Sequence, residues 1–109
     1  MNRHKAKLSI KLDLGDRGQI EPWKIALLRA IDEHQSIAGA ARALSMSYRR
    51  AWLPVNAVNK SLPFPAVYTK TGGRNRGGTY LTQSGRDLIQ RYERIYEAAT
   101  TAAARDLNF

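Results

Sequence analysis

SIAGAARALSMSYRRAWLPVNAVNKSL, residues 36–62, carries two helical patterns separated by only the four residues 43–46. The first pattern is an apolar stripe at spacings i, i+3, i+4 and i+7, formed by Ile37, Ala40, Ala41 and Leu44. The second pattern places one set of residues on a packing face: Tyr48, Ala51, Trp52, Val55, Val58, Asn59 and Leu62. Ser36 is a candidate N-cap for the first helix, and Ser45 or Ser47 for the second. The stretch therefore predicts two helices joined by a tight turn.

The opposite face of the second helix is largely polar and basic. Its residues are Arg49, Leu53, Asn56 and Lys60, with Arg50 on the flank. A helix with one packing face and one face of hydrogen-bond donors is typical of a helix-turn-helix, whose second helix lies in the major groove of DNA. Periodicity alone leaves open an ordinary helical hairpin in a small all-α domain. Because Pro54 lacks an amide hydrogen, we expect it to kink this helix beyond Arg50.

The distribution of charge is more informative than its total. The net charge is +9, from 18 Lys and Arg against nine Asp and Glu. Between Glu33 and Asp87 there are eight basic residues and no acidic one, so this segment accounts for +8 of the total. Solvated surfaces usually mix both signs, whereas Lys and Arg that neutralise phosphates release counterions. The segment therefore favours nucleic acid over other acidic partners. A membrane surface is less favoured, because membrane binding would require the basic residues to lie on one amphipathic helix.

Length and composition narrow the class of protein. The 109 residues, 43% of them hydrophobic, are expected to form a single domain, 1–109, with one modest core. The sequence has no cysteine and no evident signal sequence or membrane span, so we expect a cytoplasmic protein without disulfides. His4 and His34 are the only histidines. Since no catalytic or metal-binding motif is present, we expect no enzyme activity, no metal and no cofactor.

Two weaker patterns precede the helix-turn-helix. Residues 8–14 alternate apolar and polar side chains, which predicts a half-buried strand. Pro22 suits the first turn of a helix, and the apolar stripe that follows runs to about His34. Trp23 and Trp52 both lie on apolar stripes, so we expect them in the core rather than stacked on bases.

A glycine-rich hairpin follows the helix-turn-helix, which spans about 36–62. Two strand-like segments flank TGGRNRGG, residues 71–78, and together they predict a wing over about 66–81. The glycines allow close backbone approach, and Arg74 and Arg76 can reach phosphates or the minor groove. A nucleotide-binding loop is the alternative, but the glycine spacing matches neither known motif.

A long helix is predicted over about 82–106, with Thr82 as its N-cap. It would be about 37 Å long, whereas a domain of this size has a radius of gyration of about 13 Å, so the helix should overhang its own core. Its exposed stripe and that of the first helix favour a homodimer. The alternative is a helix that frays after Ala99 and packs only within the monomer. The predicted interface residues are Trp23, Leu27, Leu88, Tyr92, Ile95, Tyr96 and Ala99.

The patterns together predict a mainly α fold with a small β-hairpin, a winged helix-turn-helix with a long C-terminal dimerisation helix. Four segments within about residues 20–98 resemble the N-terminal DNA-binding domain of the ModE family of molybdate-responsive transcriptional regulators, bacterial relatives of LysR-type winged helices. They are SIAGAARALSMSYRRAW, VNAVNK, TGGRNRGG and YLTQSGRDLIQRYERI. The resemblance implies a homodimer that binds an inverted-repeat operator in double-stranded DNA. Family members sense molybdate with a separate C-terminal domain that we do not expect in these residues, so a molybdate effector is implied only by the resemblance.

The candidate DNA-binding residues come from the helix-turn-helix and the wing. They are Ser47, Tyr48, Arg49, Arg50, Asn56, Lys60, Lys70, Arg74, Asn75 and Arg76. Arg49 and Arg50 are the best candidates for base readout because a guanidinium binds guanine O6 and N7 bidentately, although phosphate binding alone is the alternative. Lys60 and Lys70 are more typical of phosphate contacts. Besides a sequence-specific regulator, a non-specific architectural DNA-binding protein and an oxyanion sensor acting through the dimer stay open.

Overall fold

The computed structural model describes residues 7–71 and 77–107. Four helices dominate this part of the chain: α1 (Pro22–His34), α2 (Ile37–Ala43), α3 (Tyr48–Ser61) and α4 (Gln83–Asp106). Two short antiparallel hairpins accompany them: β1 (Leu12–Asp13) with β2 (Gln19–Ile20), and β3 (Val67–Lys70) with β4 (Gly78–Leu81). The predicted fold class, mainly α with a small β-hairpin, is therefore confirmed.

Hydroxyl side chains cap three of the helices, as the sequence predicts. The hydrogen bonds join the oxygen of Ser36 to the amide of Gly39 (3.0 Å), Ser47 to Arg50 (3.2 Å) and Thr82 to Gly85 (3.0 Å). Each cap satisfies one of the amide hydrogens that the first turn of a helix leaves free. Of the two serines that could cap α3, Ser47 does so, whereas Ser45 lies in the turn with a left-handed backbone (φ 56°).

One apolar core forms where α1, α2 and α3 meet the β3–β4 hairpin. Its largest fully buried side chains are Ile20, Ile25, Leu27, Leu28, Ile31, Val55 and Val58. The helix α2 contacts both α1 and α3 and buries two alanines, Ala40 and Ala41. Because alanine side chains are small, the backbones of the two neighbouring helices can approach α2 closely.

The strand predicted over residues 8–14 is much shorter in the structure, so its predicted length is wrong. Only Leu12–Asp13 pair, because their partner β2 has just two residues, Gln19–Ile20, before α1 begins at Pro22. The predicted alternation of burial is nevertheless present, since every second side chain is half-buried: Leu8, Ile10, Leu12 and Leu14. The segment packs on the core as an extended chain and forms a regular strand only where it meets a partner.

Two aromatic residues predicted to pack are largely exposed. Trp23 is 46% exposed and Tyr48 is 55% exposed, whereas Trp52 is half-buried against the core as expected. Trp23 and Tyr48 lie in the first turns of α1 and α3, at the edge of the core, so their place on an apolar stripe does not bury them. The ammonium of Lys24 lies 5.5 Å from the centroid of the Trp23 ring.

The helix α3 is continuous across Pro54, and the kink expected beyond Arg50 stays a prediction. The helix α4 has 24 residues, which corresponds to about 36 Å, and it is continuous beyond Ala99 to Asp106. The molecule measures 56 × 34 × 21 Å with a radius of gyration of 16.1 Å, above the value of about 13 Å for a compact chain of this length. The elongated shape agrees with the predicted overhang of α4.

Candidate nucleic-acid interface

The helix α3 has one buried and one exposed face. Ala51, Val55 and Val58 are at most 2% exposed and fix the helix on the core. The opposite face carries the exposed side chains Arg49, Arg50, Leu53, Asn56 and Lys60. Because burial of the apolar face orients the helix, these side chains all project away from the protein. The sequence-predicted donors of α3 therefore share one accessible surface, which we call the outward face of α3.

The turn before α3 positions the start of that face. The amide of Met46 donates to the carbonyl of Ala41 at 2.9 Å, which closes the turn on the end of α2. The Ser47 hydroxyl oxygen caps α3, and its hydrogen can still be donated to a phosphate. The rings of Tyr48 and Trp52 lie edge to face at 6.1 Å, and Tyr48 is 55% exposed beside this contact.

Asn59 ties α3 to the wing, which we define as β3, β4 and the residues between them. Its side-chain oxygen accepts from the amides of Ala66 (2.8 Å) and Val67 (3.0 Å), and its Nδ2 donates to the Val67 carbonyl at 2.9 Å. These bonds pair the backbone groups at the start of β3, so β3 is held in a fixed position relative to α3. Sequence reasoning placed Asn59 on the packing face but missed this role. A polar amide on an otherwise apolar stripe was the available signal.

The open end of the β3–β4 hairpin lies close to the first turns of α3. In β3 and β4, Val67 pairs with Leu81 and Lys70 with Gly78, and the rings of Tyr68 and Tyr80 lie 5.5 Å apart on one face. The exposed Lys70 lies at the open end of this hairpin. The remaining predicted wing residues, Arg74, Asn75 and Arg76, lie outside the described residues.

An open groove separates the open end of the wing from the helix-turn-helix. One side is lined by Gln35, Ser36, Ile37, Ala38, Tyr48 and Trp52, and the other by Thr69, Lys70, Thr71, Gly77, Gly78 and Thr79. The amide of Thr79 donates to the Gln35 carbonyl at 3.2 Å at its floor. The structure therefore brings two predicted binding residues, Tyr48 and Lys70, to opposite walls of one groove beside the first turns of α3.

Two of the seven residues predicted for a dimer interface are buried within a single chain. Leu27 is 1% exposed and Tyr92 is 6% exposed, because α1 and α4 pack on each other within one chain. The Tyr92 hydroxyl also donates to the Ile10 carbonyl at 2.9 Å. These two side chains have no surface to offer a second chain. Of the others, Trp23 and Ile95 are 46% and 49% exposed, and three are half-buried: Leu88, Tyr96 and Ala99.

The acidic residues belong to α1, α4 and the N-terminal segment, and α2, α3, β3 and β4 contain none. Arg29 and Glu93 form an exposed ion pair of 2.8 Å between α1 and α4. The Lys24 ammonium lies 3.0 Å from Oε1 of Glu21 and lowers the pKa of this carboxylate below its ordinary value of 4.5, against the opposing effect of desolvation. The surface formed by α2, α3 and the wing strands has no carboxylate to oppose a phosphate.

The described residues include no cluster of three or more His, Cys, Asp and Glu side chains that could hold a metal ion. No helix within the described ranges is both long enough and apolar enough to cross a membrane.

No family model matches the chain, but several proteins of known name are similar in sequence. The molybdenum transport protein ModE of Azotobacter vinelandii is 34% identical over 97% of this chain and 40% of its own length. The DNA-binding transcriptional dual regulator ModE of Escherichia coli K12 is 34% identical over 81% of this chain and 34% of its own length. The transcriptional regulator ModE of Haemophilus influenzae is 40% identical over 68% of this chain and 29% of its length. The chain thus spans at most 40% of these relatives.

A solved structure supports the fold independently. The DNA-binding domain of CbnR, determined as a complex with DNA, superposes with a TM-score of 0.58 at 23% identity, over 77% of this chain and 91% of that one. The match confirms the winged helix-turn-helix architecture, and the sequence matches confirm the resemblance to ModE regulators.

Proposed function

We propose that this chain, which is homologous to the ModE transcriptional regulators over most of its own length, is a sequence-specific DNA-binding module that regulates transcription. The observation that carries the proposal is the outward face of α3, with its arginines, asparagine and lysine exposed beside the wing. This face lies in a segment that holds eight basic residues and no acidic one. The proposed activity is binding rather than catalysis, and its site of action is the cytoplasm, with the DNA.

In the proposed complex, α3 enters the major groove with its first turn foremost. Arg49 and Arg50 then meet base edges, where at least one of them binds guanine O6 and N7. Asn56 lies two turns further along the same face and can pair with adenine N6 and N7. Lys60, near the end of α3, and Lys70, at the wing, are within reach of the phosphate backbone and set affinity rather than sequence.

The proposal includes a homodimer on an inverted repeat. The helix α4 extends beyond the core and exposes Ile95, and Trp23 is exposed on α1. A two-fold pairing through these helices would present two copies of α3 to successive major grooves about 34 Å apart. The wings of the two copies would then lie against the flanking backbone, where Arg74, Asn75 and Arg76 are proposed to bind.

Selection of duplexes from a random pool tests this function directly. The purified chain is incubated with the pool at about 150 mM salt, because phosphate contacts inflate affinity at low salt. We expect enrichment of an inverted repeat whose half-sites are about one helical turn apart, with an affinity at least about 10³-fold above that for random DNA. Binding without any enriched sequence would overturn the proposal in favour of an architectural DNA-binding protein.

A link to molybdenum is suggested only by the names of relatives, one of which is a molybdenum transport protein. Because the chain spans 40% of that protein, oxyanion sensing stays an alternative rather than part of the proposal. Thermal melting with molybdate, tungstate and sulfate tests it. A rise in Tm specific to molybdate and tungstate would support sensing by these residues, and equal Tm values would count against it.

A further inference from the structure

Leu53 is the largest apolar side chain on the outward face of α3. It is 72% exposed, more than any other large hydrophobic residue in the described part of the chain. Exposure alone does not distinguish it, since single exposed leucines are common on protein surfaces. The position of Leu53 distinguishes it from other exposed leucines. Along the helix axis it lies between Arg49 and Asn56, on the face that the proposed function directs into the major groove.

Helix geometry places Leu53 in the middle of the binding face. At 3.6 residues per turn, it lies about 40° around the axis from Arg49 and about 60° from Asn56. Along the axis it is about 6 Å from Arg49 and about 4.5 Å from Asn56, comparable to one or two base-pair steps. A base pair that lies between the contacts of these two residues along the helix axis is therefore within reach of the isobutyl group of Leu53.

The chemistry of an isobutyl group selects its partner. It can neither donate nor accept a hydrogen bond, so it leaves unpaired the polar edge atoms of guanine, cytosine or adenine that it covers. The C5-methyl group of thymine is the apolar feature that the major groove presents, and contact with an apolar side chain removes both surfaces from water.

We propose that Leu53 is a specificity-determining residue that reads a thymine methyl group, one per half-site, between the bases contacted by Arg49 and Asn56. This inference rests on the proposed function. The role is direct readout by van der Waals contact, and it makes the base preference at that position depend on a single methyl group. Loss of one buried methyl contact corresponds to a decrease in affinity of about fourfold.

Deoxyuridine substitution tests the contact, because it removes the C5-methyl group and keeps base pairing. Each thymine of the selected operator is replaced singly, and dissociation constants are measured for the wild type, Leu53→Ala and Phe64→Ala. Phe64 is a matched control, since it is 68% exposed but lies outside α3. Any change in the duplex itself affects all three proteins equally.

For the wild type and Phe64→Ala we expect one thymine in each half-site at which deoxyuridine weakens binding about fourfold. Leu53→Ala should bind the thymine and deoxyuridine operators equally at that position. Thermal melting should give Leu53→Ala a Tm close to that of the wild type, because the side chain is exposed.

The inference is wrong if the wild type tolerates deoxyuridine at every position, or if Leu53→Ala retains the wild-type loss. Either result leaves sequence-specific binding by the wild type intact, so it is distinguishable from failure of the proposed function. Binding of all duplexes with equal affinity would overturn the proposed function and the role of Leu53 together.

Discussion

Asn56 and Asn59 lie one turn apart on α3, and we expect their substitution to have different effects. Loss of the Asn59 side chain should lower stability, and loss of the Asn56 side chain should weaken DNA binding. Asn59 makes three hydrogen bonds to the backbone at the start of β3, whereas Asn56 is exposed on the outward face. Truncation of Asn59 leaves partly buried amides and a carbonyl unpaired. We therefore expect Asn59→Ala to lower the free energy of unfolding by about 2–4 kcal/mol, measured by urea denaturation.

Asn56→Ala is the matched control for that measurement. Its unfolding curve should overlay that of the wild type, because the described residues give the Asn56 side chain no hydrogen-bond partner. Its dissociation constant for the operator should instead rise, most strongly where an adenine is preferred. Equal stability losses for the two variants would contradict the tie between Asn59 and the wing.

Arg49 and Arg50 carry the proposed guanine readout. We expect Arg49→Ala or Arg50→Ala to weaken binding of the operator roughly 10- to 100-fold and to flatten the preference at one guanine. Arg94→Ala, which removes an exposed arginine from α4, should leave that preference unchanged. If both α3 variants weaken all duplexes by the same factor, these arginines contact phosphate only.

At the scale of elements, Gly85 determines how closely α4 can begin beside the wing. A Cβ atom at this position would clash with the Ala66 carbonyl oxygen, a backbone atom that cannot move independently. Gly→Ala substitutions inside helices usually stabilise by about 1 kcal/mol. Here the clash should reverse the sign, and we expect Gly85→Ala to lower the free energy of unfolding by about 1–3 kcal/mol.

Ser84→Ala serves as the control for Gly85→Ala in the same turn of α4. It adds helix propensity without adding an atom near β3, so its midpoint of urea denaturation should equal or exceed that of the wild type. A Gly85→Ala protein as stable as Ser84→Ala would mean that α4 and β3 can separate without cost.

The start of α1 gives a pH-dependent prediction. Glu21 precedes α1, its Oε1 atom lies 3.0 Å from the Lys24 ammonium, and its pKa lies below 4.5 in the folded state. A lowered folded-state pKa stabilises the protein at pH values above the unfolded pKa, and this contribution is lost as the pH falls through the folded pKa. At pH 7, Glu21→Gln should therefore lower stability by about 0.5 kcal/mol.

Unfolding free energies of the wild type and Glu21→Gln from pH 7 to pH 3 check this sign. The difference should narrow below pH 4.5 and vanish once the carboxyl is protonated in both states. Glu33→Gln is the control, because this exposed carboxylate lies near the C-terminus of α1, where the helix dipole disfavours it. A constant difference for Glu21→Gln across the range would contradict the ion pair.

The contrast between local and tertiary features explains what the sequence predicts well. The N-caps of three helices, Ser36, Ser47 and Thr82, can be predicted from the sequence because a cap depends on residues within one turn. The roles of Asn59 and Gly85 depend on where β3 comes to lie, and no local pattern specifies that. Helical periodicity likewise identifies a stripe but does not indicate what covers it.

At the scale of the whole molecule, Leu27 and Ile95 illustrate this last ambiguity. Both lie on apolar stripes predicted to face a second chain, yet Leu27 is 1% exposed and Ile95 is 49% exposed. Burial in the monomer is therefore what separates core residues from candidates for a dimer interface. The candidate surface that the structure leaves accessible includes Trp23, Ile95 and the half-buried Tyr96 and Ala99.

A charged side chain introduced on that surface should prevent dimerisation while the monomer stays folded. In wild-type protein, light scattering should give twice the chain mass of 12.2 kDa. Ile95→Asp should give the chain mass, because a dimer would have to bury an unpaired carboxylate. Its Tm extrapolated to low protein concentration should match that of the wild type, whereas Leu27→Asp should unfold the monomer itself.

DNA binding provides the second readout for the dimer. Two linked copies of α3 bind an inverted repeat far more tightly than one copy binds a half-site, since the second contact is made at a high effective concentration. We therefore expect Ile95→Asp to lose affinity for the full operator by roughly 100-fold or more and to bind an isolated half-site as the wild-type monomer does. If Ile95→Asp keeps both the dimer mass and the operator affinity, the interface lies on another surface of the molecule.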